Sequence, residues 1–254
     1  MSTVLSFSAS CPPDSDTPWP ALFESNIDVE LAYELAVEIS GAEDGPEHDV
    51  LCSFGHTRLP GDRDGIIDAS AAEGKSALER VRQKLDAGLG GKLISKFRSL
   101  ADGPSNTGSN NTGSNNTGPN NTALEMFEKD EAQYKFIILG AVMMGTGAKI
   151  EEHDLKHLRR LAGKVQCNET FTLAFGDTAF RGPSKRQFLN ALNNYQPGTP
   201  RSFYEPSCHT CGKMRQDTGQ ALLMCSGCKV AWFCDKVGFQ TRLQHDGCVA
   251  NTAI

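Results

Sequence analysis

The stretch from Cys208 to Cys248, CHTCGKMRQDTGQALLMCSGCKVAWFCDKVGFQTRLQHDGC, constrains this chain more than any other. Six of the nine cysteines fall within these 41 residues. Cys208/Cys211 and Cys225/Cys228 form two Cys-x2-Cys pairs, followed by Cys234 and then by His245-x2-Cys248. Thiolate and imidazole are the donors zinc prefers, and a two-residue spacer lets two sulfurs face one tetrahedral ion about 2.3 Å away. Two such pairs with Cys and His downstream read as a zinc-binding segment. Its expected ligands are Cys208, Cys211, Cys225, Cys228, Cys234, His245 and Cys248. A segment this small buries too little to fold alone, so bound metal is expected to supply the folding energy.

The whole chain has 254 residues, enough for one further core outside the cysteine cluster. Its formal net charge of −6 argues against general nucleic-acid or membrane binding. The charge is uneven: residues 1–57 hold eleven Asp or Glu and no Lys or Arg, whereas residues 181–215 hold six Lys or Arg and one acid, Glu205. Solvated faces account for both. The opening MSTVLSFSAS lacks a basic region and a sustained apolar run, so no signal peptide is expected. FIILGAVMM, residues 136–144, is too short to span a bilayer. The expected setting is intracellular, cytoplasm or nucleus, where clustered cysteines bind metal more often than they form disulfides. Cys11, Cys52 and Cys167 lie outside the cluster and read as ordinary thiols.

The fold class expected is mainly α. A helical N-terminal domain (22–101 and 123–200) is interrupted by a flexible low-complexity insert (102–122) and followed by the small zinc module (208–248). Residues 1–21, with CPPDSDTPWP, read as an irregular lead-in. Ile27, Leu31, Leu35 and Ile39 recur every four residues and predict a helix from Asn26 to Ser40, stopped at Gly41. VLCSF at 50–54 reads as a strand or a buried turn. His48 and His56 flank Cys52 without ligand spacing to a second cluster. A helix over 71–87 carries Leu78, Val81 and Leu85 and ends at Gly88. Another follows Gly91, with Leu93, Ile94, Phe97 and Leu100 inward and Lys92, Lys96 and Arg98 outward.

Residues 102–122 repeat S-N-N-T-G and hold no apolar side chain that could offset ordering entropy. The segment after them reads as a helix apolar on all sides, ending near Gly145 or Gly147, at the centre of a small bundle. Gly140 to Gly147 spell G-x-x-x-x-G-x-G without the Lys-Ser/Thr of a phosphate loop. EEHDLKHLRRLAG predicts a helix with Leu155, Leu158 and Leu161 inward, and His153 and His157 toward solvent. FTLAF (171–175) reads as a short strand and Ser184 to Asn193 as a helix. A Pro- and Gly-containing linker places the domain boundary between Pro197 and Ser207.

On Cys208/Cys211, Cys225/Cys228, the aromatic pair Trp232-Phe233, Cys234, His245 and Cys248, the segment resembles a MYND-type zinc finger. The likeness covers some 40 residues and holds to Lys236. It implies two zinc ions, the first held by Cys208, Cys211 and Cys234, the second by Cys225, Cys228, His245 and Cys248. The family's remaining ligand of the first ion falls on Gly238, which has no donor. GFQTRLQ lacks the family's Trp, and the ending is His-x2-Cys instead of His-x3-Cys. Three readings stay open: an incomplete first site, completion by water or by a side chain such as Asp235, and non-native text after Lys236 from intron read-through. Residues 22–200 look like parts of uncharacterised, mostly fungal proteins that join a helical region to a MYND finger.

The resemblance implies a non-enzymatic interaction module that docks a protein or a short Pro-containing peptide, in some cases in transcriptional repression. Trp232 and Gln240 are candidates to line its groove, with packing over a zinc knuckle the alternative for Trp232. MYND fingers also occur in SET-type lysine methyltransferases, but no Asn-His cofactor motif is found here. Nucleic-acid binding through the basic 181–215 stretch is the third reading. The acidic chain and the lack of a base-reading helix weigh against it.

Overall fold

Residues 136–144 are apolar on every side of a helix, and such a segment is stable only when neighbours surround it. In the computed structural model, which describes residues 26–52, 72–102, 119–164, 167–168, 180–181, 184–203, 205–225 and 231–235, this segment lies in α5 (Pro119–Thr146). From Phe136 to Leu139 four consecutive side chains are buried, followed by Ala141, Val142, Met143 and Met144. Helices α1 (Asn26–Ser40), α3 (Ala72–Lys84), α4 (Gly90–Asp102), α6 (Glu152–Lys164) and α7 (Ser184–Asn193) all touch α5, with α4 lying along it most extensively. The described residues are mostly helical. Among them no helix is long and apolar enough to cross a membrane.

The helix starts at Pro119, so the last four residues of the predicted insert, 119–122, belong to α5. Proline suits a first helical position because the amide it lacks would have no intrahelical partner there. The lead-in 1–21, His56, residues 103–118 of the insert and the predicted FTLAF strand lie outside the described residues.

Leu31, Leu35 and Ile39 of α1 are buried as their spacing predicts. The VLCSF expectation is corrected in its described part: residues 50–52 close α2 (Pro46–Cys52), a short helix. Pro46 stands at its first position, and Glu47 and Asp49 suit the positive end of the helix dipole. Glu47 also receives Arg80 Nε at 2.7 Å and Lys84 Nζ at 2.6 Å, which ties α2 to α3. Between α3 and α4 the chain makes a π-helical turn, Leu85–Leu89. Gly88 at φ 113° breaks the regular helix where the sequence places a stop.

Two expectations for α4 are corrected. Leu100 is 52% exposed, because it lies on the margin of the arc set by Leu93, Ile94 and Phe97 while Ala101 takes the interior place. Arg98 turns inward to pair with Asp154, a buried carboxylate in the first turn of α6. On α6, Leu155, Leu158 and Leu161 are buried as expected. His157 is buried too, edge-on to Phe136 with ring centroids 5.1 Å apart, so only His153 of that pair faces solvent. His157 shares the inward stripe because it sits one turn from Leu161.

Gly140 is a packing residue: a Cβ there would lie 2.8 Å from both δ-carbons of Leu158, itself 1% exposed. Gly140→Ala should therefore destabilise by about 1–3 kcal/mol through overpacking. Gly91, in α4, has open space around it and no positive φ. Gly91→Ala should stabilise by about 0.4–1 kcal/mol by restricting the unfolded chain. Urea midpoints of the two variants should move in opposite directions.

The 197–207 stretch, read as a linker, is anchored to the helical body. Gly198 N donates to Gly147 O at 2.8 Å, Arg201 N donates to Met144 O at 3.0 Å, and Phe203 joins the main apolar core. Just before it, Tyr195 Oη donates to Ala148 O at 2.6 Å and accepts from Ile150 N at 2.8 Å. This anchoring sets where the cysteine segment begins. A two-residue parallel pair, β1 (Cys167–Asn168) with β2 (Phe180–Arg181), lies between α6 and α7 in sequence.

Candidate metal centre

Cys208 to Lys213 form a tight knuckle. Cys208 N donates to Lys213 O at 2.7 Å and Gly212 N donates to Cys208 O at 2.8 Å. The reversal needs a left-handed residue, and Gly212 supplies it at φ +74°. Ser207 and Met214 close the knuckle as an antiparallel bridge. Next come the one-turn helix α8 (Arg215–Thr218) and a small hairpin, β3 (Leu223–Met224) paired antiparallel with β4 (Trp232–Phe233). The hairpin returns to the knuckle: Cys208 bridges Trp232, and His209 N donates to Trp232 O at 2.8 Å. Cys234 follows β4 directly, so this docking carries its sulfur to the other two.

The Sγ atoms of Cys208, Cys211 and Cys234 all lie within 4.8 Å of one another. Among the described residues this is the group of His, Cys, Asp and Glu side chains that could hold a metal ion. Cys211 and Cys234 are 3.7 Å apart. A tetrahedral ion with metal–sulfur bonds of about 2.3 Å separates its sulfurs by about 3.8 Å, so this edge fits without rearrangement. Cys208 is buried, Cys234 half-buried and Cys211 exposed, which places the trio at the surface with Cys208 as its floor.

The surroundings of these thiols shift them in opposite directions. Burial pushes the Cys208 thiol up, but backbone amides of Cys211, Cys234 and Thr210 aimed at its sulfur outweigh burial and hold it below the usual thiol range. Cys234 goes the other way. Burial, then the adjoining sulfurs of Cys208 and Cys211, push it up to about 12. Three thiolates at this spacing repel one another unless a cation stands between them, so binding a divalent ion must release thiol protons. Soft sulfur donors favour zinc and other thiophilic ions over magnesium or calcium.

Of the residues expected at a second ion, Cys225 is described. It is buried with Ala231 and Phe233, and its N–H donates to Ala231 O at 2.8 Å across the hairpin. Cys228, His245 and Cys248 lie outside the described residues, as do Gly238 and Gln240. Trp232 is half-buried on β4, while Leu223 and Met224 on β3 are 42% and 47% exposed.

Sequence reasoning missed the network that seats this knuckle. Asp217 accepts from Met214 N at 2.9 Å, from Asn190 Nδ2 of α7 at 2.7 Å, and from Arg201 Nη2, which reaches both carboxylate oxygens at 2.9 and 2.8 Å. Arg201 and Asp217 are almost wholly buried. Arg201 belongs to the basic 181–215 stretch, so that stretch does not present all its charges on one face. The local signal was an acid three residues into a turn, which can cap a helix start. Nothing local points to Arg201 or Asn190. Gln187 of α7 donates to Met214 Sδ at 3.2 Å, and the knuckle thereby rests on the helical body.

Away from this centre, a sulfur and an imidazole meet in α2, where Cys52 Sγ is 3.4 Å from His48 Nε2. Burial, with Asp49 adding to it, pushes the Cys52 thiol up to about 11. Cys52 is therefore a protonated packing thiol at neutral pH, unsuited to nucleophilic work. No family model, curated protein or solved structure matches this chain.

Proposed function

We propose that this is a zinc protein whose C-terminal MYND-like finger acts as a non-catalytic docking module for a protein or a short Pro-containing peptide. The observation that carries the metal half is the convergence of Cys208, Cys211 and Cys234 from two separate chain segments. The docking half rests on the family resemblance and on Leu223 and Met224, large apolar side chains left exposed beside Trp232. The mostly helical body favours this reading over the methyltransferase alternative, which requires a β-rich cofactor domain.

Native mass spectrometry of the unchelated protein tests the metal half. Two zinc ions per chain are expected, and Cys234→Ser should lose one; a zinc-free protein would sink the proposal. Binding of Pro-containing peptides to the zinc-loaded protein tests the other half. Met224→Asp should abolish it while leaving the zinc count unchanged. Peptide affinity unaltered by Met224→Asp and by chelation would place docking elsewhere.

A further inference from the structure

We infer that Asp235 supplies the fourth ligand of the Cys208–Cys211–Cys234 centre, making it a three-sulfur, one-oxygen site. This rests on the metal reading above and names the donor that the three cysteines leave open. A closed structural site takes four donors. Asp235 Oδ2 lies 3.5 Å from Cys234 Sγ. For an ion with bonds of about 2.3 Å to sulfur and about 2.0 Å to a carboxylate oxygen, the tetrahedral sulfur–oxygen edge is about 3.5 Å. The Cys211–Cys234 edge of 3.7 Å fits the same ion.

Chain direction explains how two consecutive residues serve one centre. In a continuing strand Cys234 and Asp235 would point to opposite faces. The chain instead bends at both residues directly after β4, and their side chains converge. Asp235 is exposed, as Cys211 is, whereas Cys208 is buried, so the carboxylate approaches Cys234 from the solvent-facing end of the trio. Its oxygen faces Cys234 and not yet all three sulfurs. Rotation about the side-chain bonds of an exposed residue completes the approach.

The Cys234 thiol now donates to Asp235 Oδ2. On loading, the ion takes the place of that proton. The thiol protons leave to solvent, and each sulfur and Oδ2 gives the ion a lone pair, with no change of oxidation state.

Cobalt(II) is the probe, titrated into the full chain, with Cys234→Ser identifying the signal that belongs to this centre. Asp235→Ala is expected to weaken cobalt binding there at least about tenfold, since even outer contacts of a metal site are worth 10–100-fold. Asp235→Cys should restore the affinity and strengthen the sulfur-to-cobalt charge-transfer band as a fourth thiolate joins. X-ray absorption of the zinc-loaded wild type should count three sulfurs and one oxygen or nitrogen at the Cys234-dependent ion. Unchanged affinity and spectrum in Asp235→Ala, or four sulfurs at that ion, would overturn the assignment while leaving the metal reading intact. Absence of any Cys234-dependent cobalt signal would overturn both.

Discussion

Asp217→Ala should lower stability by about 3–5 kcal/mol, the range for breaking a buried charge pair by removing one partner. Arg201 is 4% and Asp217 6% exposed, so the guanidinium left behind has little water to turn to. The loss is broader than one ion pair, because Met214 N and Asn190 Nδ2 also lose their acceptor. Each buried donor left without a partner adds to the cost. Urea unfolding of the full chain measures it. Asp217→Asn keeps a carbonyl oxygen and should lose less. In the Arg201→Met/Asp217→Ala double variant no charge is stranded, so part of the stability should return. A loss under about 1 kcal/mol in Asp217→Ala would show that the pair contributes no more than a surface salt bridge.

Gly212→Ala is the second large effect. A Cβ at this position would stand 2.1 Å from Arg186 O and 2.6 Å from Gln187 N, both backbone atoms of α7. No rotamer change relieves such a clash, so either the knuckle or the helix must shift. The left-handed backbone costs a non-glycine residue about 1–2 kcal/mol, and overpacking adds about 1–3 kcal/mol. The expected loss is therefore about 2–5 kcal/mol, with weaker metal retention because Cys211 precedes the shifted residue. Gly219→Ala is the control. It has φ +66° but open space around it, so it should show only the conformational part. Equal losses in the two variants would mean that the knuckle does not bear on α7.

Stability and metal retention should thus fall together in Gly212→Ala. The physical reason is that the cysteine knuckle is seated on α7 through Gly212, Gln187 and Asn190. Sequence reasoning placed a linker between Pro197 and Ser207 because Pro and Gly mark irregular backbone. Irregular backbone need not be free backbone: Arg201 and Phe203 of that stretch are buried.

What the sequence determined by itself was local. Helical periodicity located α1 and α6, and the expected ends of α1, Asn26 and Ser40, and of α7, Ser184 and Asn193, are those the structure shows. The all-round apolarity of residues 136–144 announced a central helix, because nothing but burial accommodates it. The Cys-x2-Cys spacing announced the Cys208/Cys211 pair, because a two-residue spacer suffices to bring two sulfurs to one ion. What the tertiary structure alone decided was anything that joins distant segments. Cys234 reaches the pair because β4 docks on the knuckle through Trp232. Arg98 and His157 turned inward because buried partners on α6 and α5 awaited them. The short 46–52 segment became a helix whose Glu47 is held by Arg80 and Lys84 of α3. Periodicity reports which face of an element is apolar. Which partner meets that face, and which polar group is carried in with it, depends on packing between residues that the sequence holds far apart.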